Sequence, residues 1–455
     1  MSTSIRILII IADVMLLAAL IRWLPFSREA SCALGLLAFI AILWLTEAIH
    51  ITITALLIPV LAALMGLLPT SAALASFASS TIFLYFGGFA LAAALHLQEL
   101  DKLLAVRIIR MARGNFMLSV IYLFLVTAFL SMWVNNASTA AMMMPLTLGL
   151  LAELDVREHR RVYVFVLLGV AYSCSIGGMG TAVGSIPNAI VVSQLGISFA
   201  DMFIYGFPVM LIMMAIMVTA LLVLLRPQLN IRLRAIDEIS VPMNSERWTA
   251  LGIFLAVALM WVFSAQLNPL LSSLIGYDHE IEALDSIIAV IGAILIVLLR
   301  VVSWQKLQEN INLGVLYLFG GGITLSLVLS STGASRILAD AVVALIDGSH
   351  YYVIGLAVAC FVIFLTEVVS NAATATLLVP IFITIAETIG APPVGIALMI
   401  AIGASCAFML PVATPPNTFV YSTGHIRLAE FVRAGIVLNL LSAVVIATYG
   451  YFFWM

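Results

Sequence analysis

Two short polar clusters interrupt an otherwise apolar chain, VNNASTAAMMMP at residues 134–145 and VSNAATATLLVP at 369–380. Aligned without gaps, they pair Asn136 with Asn371, Ala137 with Ala372, Thr139 with Thr374 and Pro145 with Pro380, 235 positions apart in a chain of 455 residues. Asn135, Asn136, Ser138 and Thr139 crowd the first cluster; Ser370, Asn371, Thr374 and Thr376 crowd the second. Polar groups are costly in an apolar region unless something binds them. Amides and hydroxyls offer oxygens to a cation and N–H or O–H donors to a carboxylate. Neither cluster contains Lys or Arg, so an anion held there needs neutral dipoles and bound cations to balance it. A lone membrane asparagine is more often interhelical glue. The repetition reads instead as two halves of one binding site.

A second pair of motifs follows the clusters in the same order, GSIPN at 184–188 and ATPPN at 413–417. Pro187, Pro415 and Pro416 remove backbone donors and break helical geometry. Carbonyls freed around Gly184 and Ala413 suit a hard cation such as Na⁺. The half-helices beyond the breaks present amides and positive dipole ends to an anion. One such motif reads as a kink; two, each after a polar cluster, read as a site. FGGF at 86–89 and FGGG at 319–322 form a third matched pair and read as close helix packing. Glu367, one helical turn before Asn371, reads as a structural carboxylate paired with a neighbouring helix rather than a proton relay. Asp13, His50, His96 and His425 fall near helix ends or interfaces.

These motifs sit in a chain that is 64% hydrophobic and 9% charged, with mean hydropathy +1.22. That composition excludes an ordinary soluble protein. Apolar runs predict spanning helices at 5–24, 32–49, 51–68, 81–97, 161–178, 203–225, 248–267, 284–300, 312–330, 394–410 and 429–453. Segments 116–150 and 351–390 are too long for one crossing and carry their clusters near the middle, as re-entrant hairpins would. The fold class expected is therefore an all-α polytopic membrane protein with about eleven transmembrane helices and two re-entrant hairpins. With a cytoplasmic N-terminus, sixteen of the nineteen Lys and Arg fall on the inside, all but Arg22, Arg28 and Arg336. The C-terminus then lies outside. The matched motifs and odd number of crossings make the repeats inverted, an architecture of secondary transporters. The expected divisions are an N-terminal helix (1–30), a first repeat (31–226) with its broken helix at 161–197, a cytoplasmic linker (227–247) and a second repeat (248–455) with its broken helix at 394–423. Cys32, Cys174, Cys360 and Cys406 show no metal or disulfide spacing and read as packing residues. No HExxH, GxSxG or P-loop is present, which argues against an enzyme or an ATP-driven pump.

Over nearly its whole length the sequence resembles the divalent anion/sodium symporter family, most specifically in LSMWVNNASTAAMM (130–143), YSCSIGGMGTAVGSIPNAI (172–190), FLTEVVSNAATATLL (364–378) and CAFMLPVATPPN (406–417). The pattern looks especially like the bacterial Na⁺-coupled C4-dicarboxylate members. That resemblance implies a homodimer in the bacterial inner membrane, with scaffold and transport domains that work as an elevator. It implies one Na⁺ site from Ser131, Asn135, Asn136 and the Gly184 carbonyl, and another from Thr366, Val369 through its carbonyl, Asn371 and the Ala413 carbonyl. Substrate would meet Asn136, Ala137, Ser138, Ser185, Asn371, Ala372, Thr414 and Pro415. The family tips read Ser-Asn-Thr; here they read Asn135-Asn136-Ala137 and Ser370-Asn371-Ala372. The threonine hydroxyls are missing from both, and each hydrogen bond to a charged group is worth roughly 1.5–3 kcal/mol. Ile186 stands where the family usually has a first proline. The expected function is Na⁺-coupled import of a small divalent anion, first a C4-dicarboxylate such as succinate, malate or fumarate. The rivals are sulfate, a tricarboxylate or dicarboxylate exchange and, from another class, a non-transporting sensor or an anion channel.

Overall fold

The computed structural model describes residues 3–152, 154–229, 231, 242–277, 279–346 and 350–455. Every regular element among them is a helix. Nine of these described helices are long and apolar enough to cross a membrane. Shorter apolar helices, Ile51–Leu64, Leu284–Leu298 and Pro393–Ala404, cover the remaining expected spans. Of the expected linker at 227–247, residues 230 and 232–241, with Arg232 and Arg234, lie outside the described residues.

Two helices stop furthest short of their apolar runs. The apolar run 394–410 stops being helical at Ala404. The Glu367 carboxylate accepts the N–H groups of Met409 (2.7 Å) and Leu410 (2.8 Å). A continuing helix would have sent those donors to the carbonyls four residues back. The run 248–267 ends at Val262, where Phe263 leaves helical geometry (φ −104°, ψ 20°), and a separate helix, Ser264–Leu274, follows.

The two polar clusters lie at the tips of helical hairpins. Phe116–Ser131 and Asn136–Leu151 are the arms of the first; Tyr351–Thr366 and Asn371–Ile389 are the arms of the second. Each tip motif is broken by its own side-chain chemistry. Asn135 caps the first returning arm by accepting the Ser138 N–H (2.9 Å), and Ser370 caps the second by accepting the Ala373 N–H (3.2 Å). Asn and Ser favour such caps because a short side chain satisfies an orphan first-turn donor. The proline motifs likewise split two helices. Arg160–Gly178 resumes as Ile186–Leu195, and Pro393–Ala404 resumes as Pro415–Ser422.

The paired glycine motifs pack these elements. A Cβ at Gly87 would stand 2.3 Å from the Ala289 carbonyl oxygen, and one at Gly321 would stand 2.7 Å from that of Ala55. Only hydrogen fits at such contacts. The expectation of close helix packing is met at both. Tyr85 on the first of these helices then reaches the first break, donating its O–H to the Ala182 carbonyl (3.0 Å), and packs against Phe319 of the second motif (centroids 4.9 Å).

Candidate functional site

Both hairpin tips and both helix breaks open into one cavity of roughly 340 Å³. Asn135, Asn136, Ala137, Ser138, Gly184, Ser185, Asn371, Ala372, Ala413, Thr414 and Pro415 all line it. Residues far apart in sequence are thus gathered as the motif pairing implied. Ser131 and Thr366 lie just behind the wall, fully buried, and Val369 sits in the turn between the arms of the second hairpin. Thr376 belongs to the packing instead. Its hydroxyl donates to the Ala372 carbonyl of its own helix (2.7 Å), and its methyl faces Gly322.

Four helices begin at this cavity: Asn136–Leu151, Ile186–Leu195, Asn371–Ile389 and Pro415–Ser422. Their capping residues, Asn135, Ser185, Ser370 and Thr414, all line it. A helix N-terminus carries about half a positive charge and unpaired N–H groups. Pro415 and Pro416 remove two such donors from the fourth helix but leave its dipole. Four positive ends at one cavity, with walls that include Tyr85, Phe89 and Phe319, are ground that favours an anion without a basic side chain at the tips.

Oxygen-rich clusters flank it. Ser131 Oγ lies 2.8 Å from Asn136 Oδ1 and 2.7 Å from the Cys174 carbonyl. Thr366 Oγ1 lies 2.8 Å from Asn371 Oδ1 and 2.9 Å from the Ala404 carbonyl. A hydroxyl carries one proton, so in each cluster the hydroxyl, the amide oxygen and the carbonyl together present more lone pairs than that proton can satisfy, at the edge of the cavity that Asn136 and Asn371 line. A hard cation is the kind of ligand that would use those lone pairs. In the first cluster the missing side chain of Gly178 leaves space, since a Cβ there would be 2.8 Å from both Asn136 Oδ1 and the Gly184 carbonyl oxygen. Among the described residues no group of three or more His, Cys, Asp or Glu could hold a metal ion. The available donors are neutral oxygens, the kind hard cations take.

Two asparagines that hydropathy and motif reading passed over hold the breaks in shape. Asn188 Nδ2 donates to the carbonyls of Gly178 (3.3 Å), Met179 (3.0 Å) and Thr181 (2.8 Å). Asn417 Nδ2 donates to those of Ala407 (2.9 Å) and Leu410 (3.1 Å). Both are fully buried, and the Oδ1 of each is unpaired. Their signal was the final Asn shared by GSIPN and ATPPN. Asn188→Asp would turn a donor into an acceptor facing three carbonyl oxygens. Each buried group left unpaired costs about 1–3 kcal/mol. The expected outcome is a lower melting temperature in detergent and a collapse of uptake; an unchanged melting curve would remove the staple role.

Comparison with known proteins agrees with this architecture. A family profile described as citrate transporter (CitMHS) matches residues 41–401 and 281–455. An uncharacterized transporter of Haemophilus influenzae is 54% identical over 448 residues, covering 98% of this chain and 97% of that protein. A sodium-dependent dicarboxylate transporter, SdcS, of Staphylococcus saprophyticus is 30% identical over 457 residues, covering 94% and 86%. The crystal structure of the Alcanivorax borkumensis YdaH transporter superposes with a TM-score of 0.57 over 99% of this chain and 98% of that one, at 14% identity, which speaks to fold alone. A helical membrane chain matched by this family profile over most of its length, and by transporters from end to end, belongs to the citrate transporter family and is a transporter rather than an enzyme.

Proposed function

We propose that the protein is a Na⁺-coupled symporter of a small divalent anion, with a C4-dicarboxylate such as succinate as substrate. The observation that carries this is the meeting of four helix N-termini in one cavity that two oxygen clusters flank. The dipoles favour an anion, the clusters favour cations, and the shared asparagines Asn136 and Asn371 link the two. One Na⁺ is carried by Ser131, Asn135, Asn136 and the Gly184 carbonyl, and another by Thr366, Asn371 and the carbonyls of Val369 and Ala413. Bound cations tighten the tips and complete the anion site between them. The sodium dependence named for SdcS supports this coupling.

The anion meets the tips at Asn136, Ala137, Ser138, Asn371 and Ala372, and the breaks at Ser185, Thr414 and Pro415. Alanine methyls at Ala137 and Ala372 leave Ser138 as the one hydroxyl of the first tip that lines the cavity. Residues 31–226 and 248–455 act as inverted repeats, and a homodimer in the bacterial inner membrane carries the loaded hairpins and breaks across as an elevator. The N-terminus is cytoplasmic. His96, Asn310, Asn312 and Ile51 bound one end of the cavity; in that topology they lie on the inner side, so this conformation opens to the cytoplasm.

Labelled succinate uptake into proteoliposomes tests the reading, with an inward Na⁺ gradient and with K⁺ substituted. Saturable uptake that requires Na⁺ is expected. Uptake indifferent to Na⁺ would sink the coupling, and non-saturating flux would mark a channel.

A further inference from the structure

The anion site draws on dipoles and amides, yet the same cavity contains a group able to change its charge. His96 lines it on the face of Ser80–Leu97 that also presents Tyr85, Phe89, Ala92 and Ala93. That spacing is one continuous helical stripe. Tyr85 packs against Phe319 near the breaks, and His96 stands eleven residues further on, about 16 Å along the axis at 1.5 Å per residue. It is therefore a residue of the cavity mouth, beside Asn310 and Asn312, and its side chain is 48% exposed. No Lys, Arg, Asp or Glu occurs among the described lining residues. Of the two titratable ones, Tyr85 already donates its O–H to Ala182. Only His96 is free to gain a charge where an anion passes.

Its orientation is fixed from behind. Nδ1 lies 2.8 Å from Asp101 Oδ2, and Asp101 is 4% exposed. The other carboxylate oxygen, Oδ1, accepts the Lys102 N–H (2.8 Å). An ionised carboxylate only accepts, so Nδ1 carries the proton and Nε2 is the nitrogen that changes state. Neutral, Nε2 is a lone pair that repels a carboxylate; protonated, it is a charged donor. Among the described side chains, the charges on neighbouring elements are Glu99 in the adjoining turn; Asp101, Lys102 and Arg107 on Leu100–Arg110; Glu246 and Arg247 on Ser245–Val262; Asp285 at the far end of Leu284–Leu298 and Arg300 after it; and Lys306 and Glu309 on Trp304–Asn310. Glu99 is occupied by Lys102 (3.8 Å) and Arg247 (3.2 Å). Positive and negative groups nearly balance there, which leaves the imidazole as the variable one.

We propose that His96, oriented by Asp101, is a specificity-determining anion-docking group at the cavity mouth, holding a dicarboxylate in its imidazolium form and letting it go when neutral. The inference rests on the dicarboxylate reading above. A neutral inner solution then favours release, and an acidic one retains the anion. The test is Na⁺-driven succinate transport by the purified full-length protein in proteoliposomes, with the pH on the His96 side varied across roughly pH 6–8, the range in which histidine titrates. Succinate titrates identically for every variant, so differences between variants belong to the protein.

For the wild type, the apparent KM measured from that side should fall about three- to five-fold on acidification, the scale of a solvent-exposed charge pair. His96→Gln, which keeps a partner for Asp101, should hold the high KM throughout with kcat little changed. His96→Lys should hold the low KM throughout. A His96→Gln protein with the wild-type pH profile overturns the docking role even if its stability is altered. A wild type that transports no succinate overturns the parent reading, and the docking role falls with it.

Discussion

Asn136→Ala is expected to reduce Na⁺-driven uptake to background, and Asn136→Asp to separate the two ligands that this residue serves. Asn136 Oδ1 sits beside Ser131 Oγ in the first oxygen cluster, while its backbone N–H begins the returning arm of the first hairpin at the cavity. Alanine deletes the oxygen proposed to face the cation and leaves Ser131 and the Cys174 carbonyl behind it. Losing even an outer partner of a metal site costs about 10–100-fold in affinity, and in the proposed site Asn136 is an inner one. Aspartate keeps an oxygen in place and adds a negative charge. Na⁺ half-saturation should then improve or hold, while the succinate KM rises steeply, because two carboxylates meet across the same apolar cavity. The same pair of changes at Asn371 should behave alike, since Thr366 and the Ala404 carbonyl repeat the arrangement. Initial uptake rates at varied Na⁺ and varied succinate separate these effects. An Asn136→Asp protein that loses Na⁺ and succinate affinity in equal measure would contradict the division of labour.

Glu367→Gln should destabilise the fold by roughly 1.5–3 kcal/mol, the worth of one hydrogen bond to a charged group. The carboxylate is 1% exposed and accepts three donors: the N–H groups of Met409 and Leu410, and Asn439 Nδ2 at 2.7 Å. Glutamine has one acceptor oxygen and must turn its own NH₂ toward one of those donors. Glu367→Ala strands all three and should cost more. Because the Met409–Leu410 segment leads into the second break, thermal unfolding in detergent and Na⁺-dependent uptake should decline together. A Glu367→Gln protein of wild-type stability that no longer transports would point to a proton relay in place of this structural clasp.

Much of the site was legible in the chain because its elements repeat. Asn136 and Asn371 could be paired by eye, and GSIPN and ATPPN marked both breaks before any helix was placed. The glycine pairs also read correctly, since only close backbone approach explains Gly87 against Ala289 and Gly321 against Ala55. Other residues have partners that their motifs did not announce. Asn135 lines the cavity as expected, but its Oδ1 is engaged in capping the helix that follows. Thr376 looked like part of the second cluster and proves to be packing. The helix ending at Ala404 was misjudged because hydropathy sees six further apolar-rich positions and cannot see a carboxylate arriving from Glu367.

By itself, then, the sequence determined a polytopic helical membrane protein with two polar tips, two broken helices and their pairing. Those follow from local composition and from proline and cap chemistry, which act within a few residues. Tertiary structure alone decided that four helix N-termini meet in one cavity, that Asn188 and Asn417 hold the breaks, that Glu367 draws Met409 and Leu410 out of a helix, and that His96 faces the mouth. Each of these depends on which distant groups share a dry space, where an unpaired donor or acceptor is expensive. No periodicity within a single segment encodes that partnership.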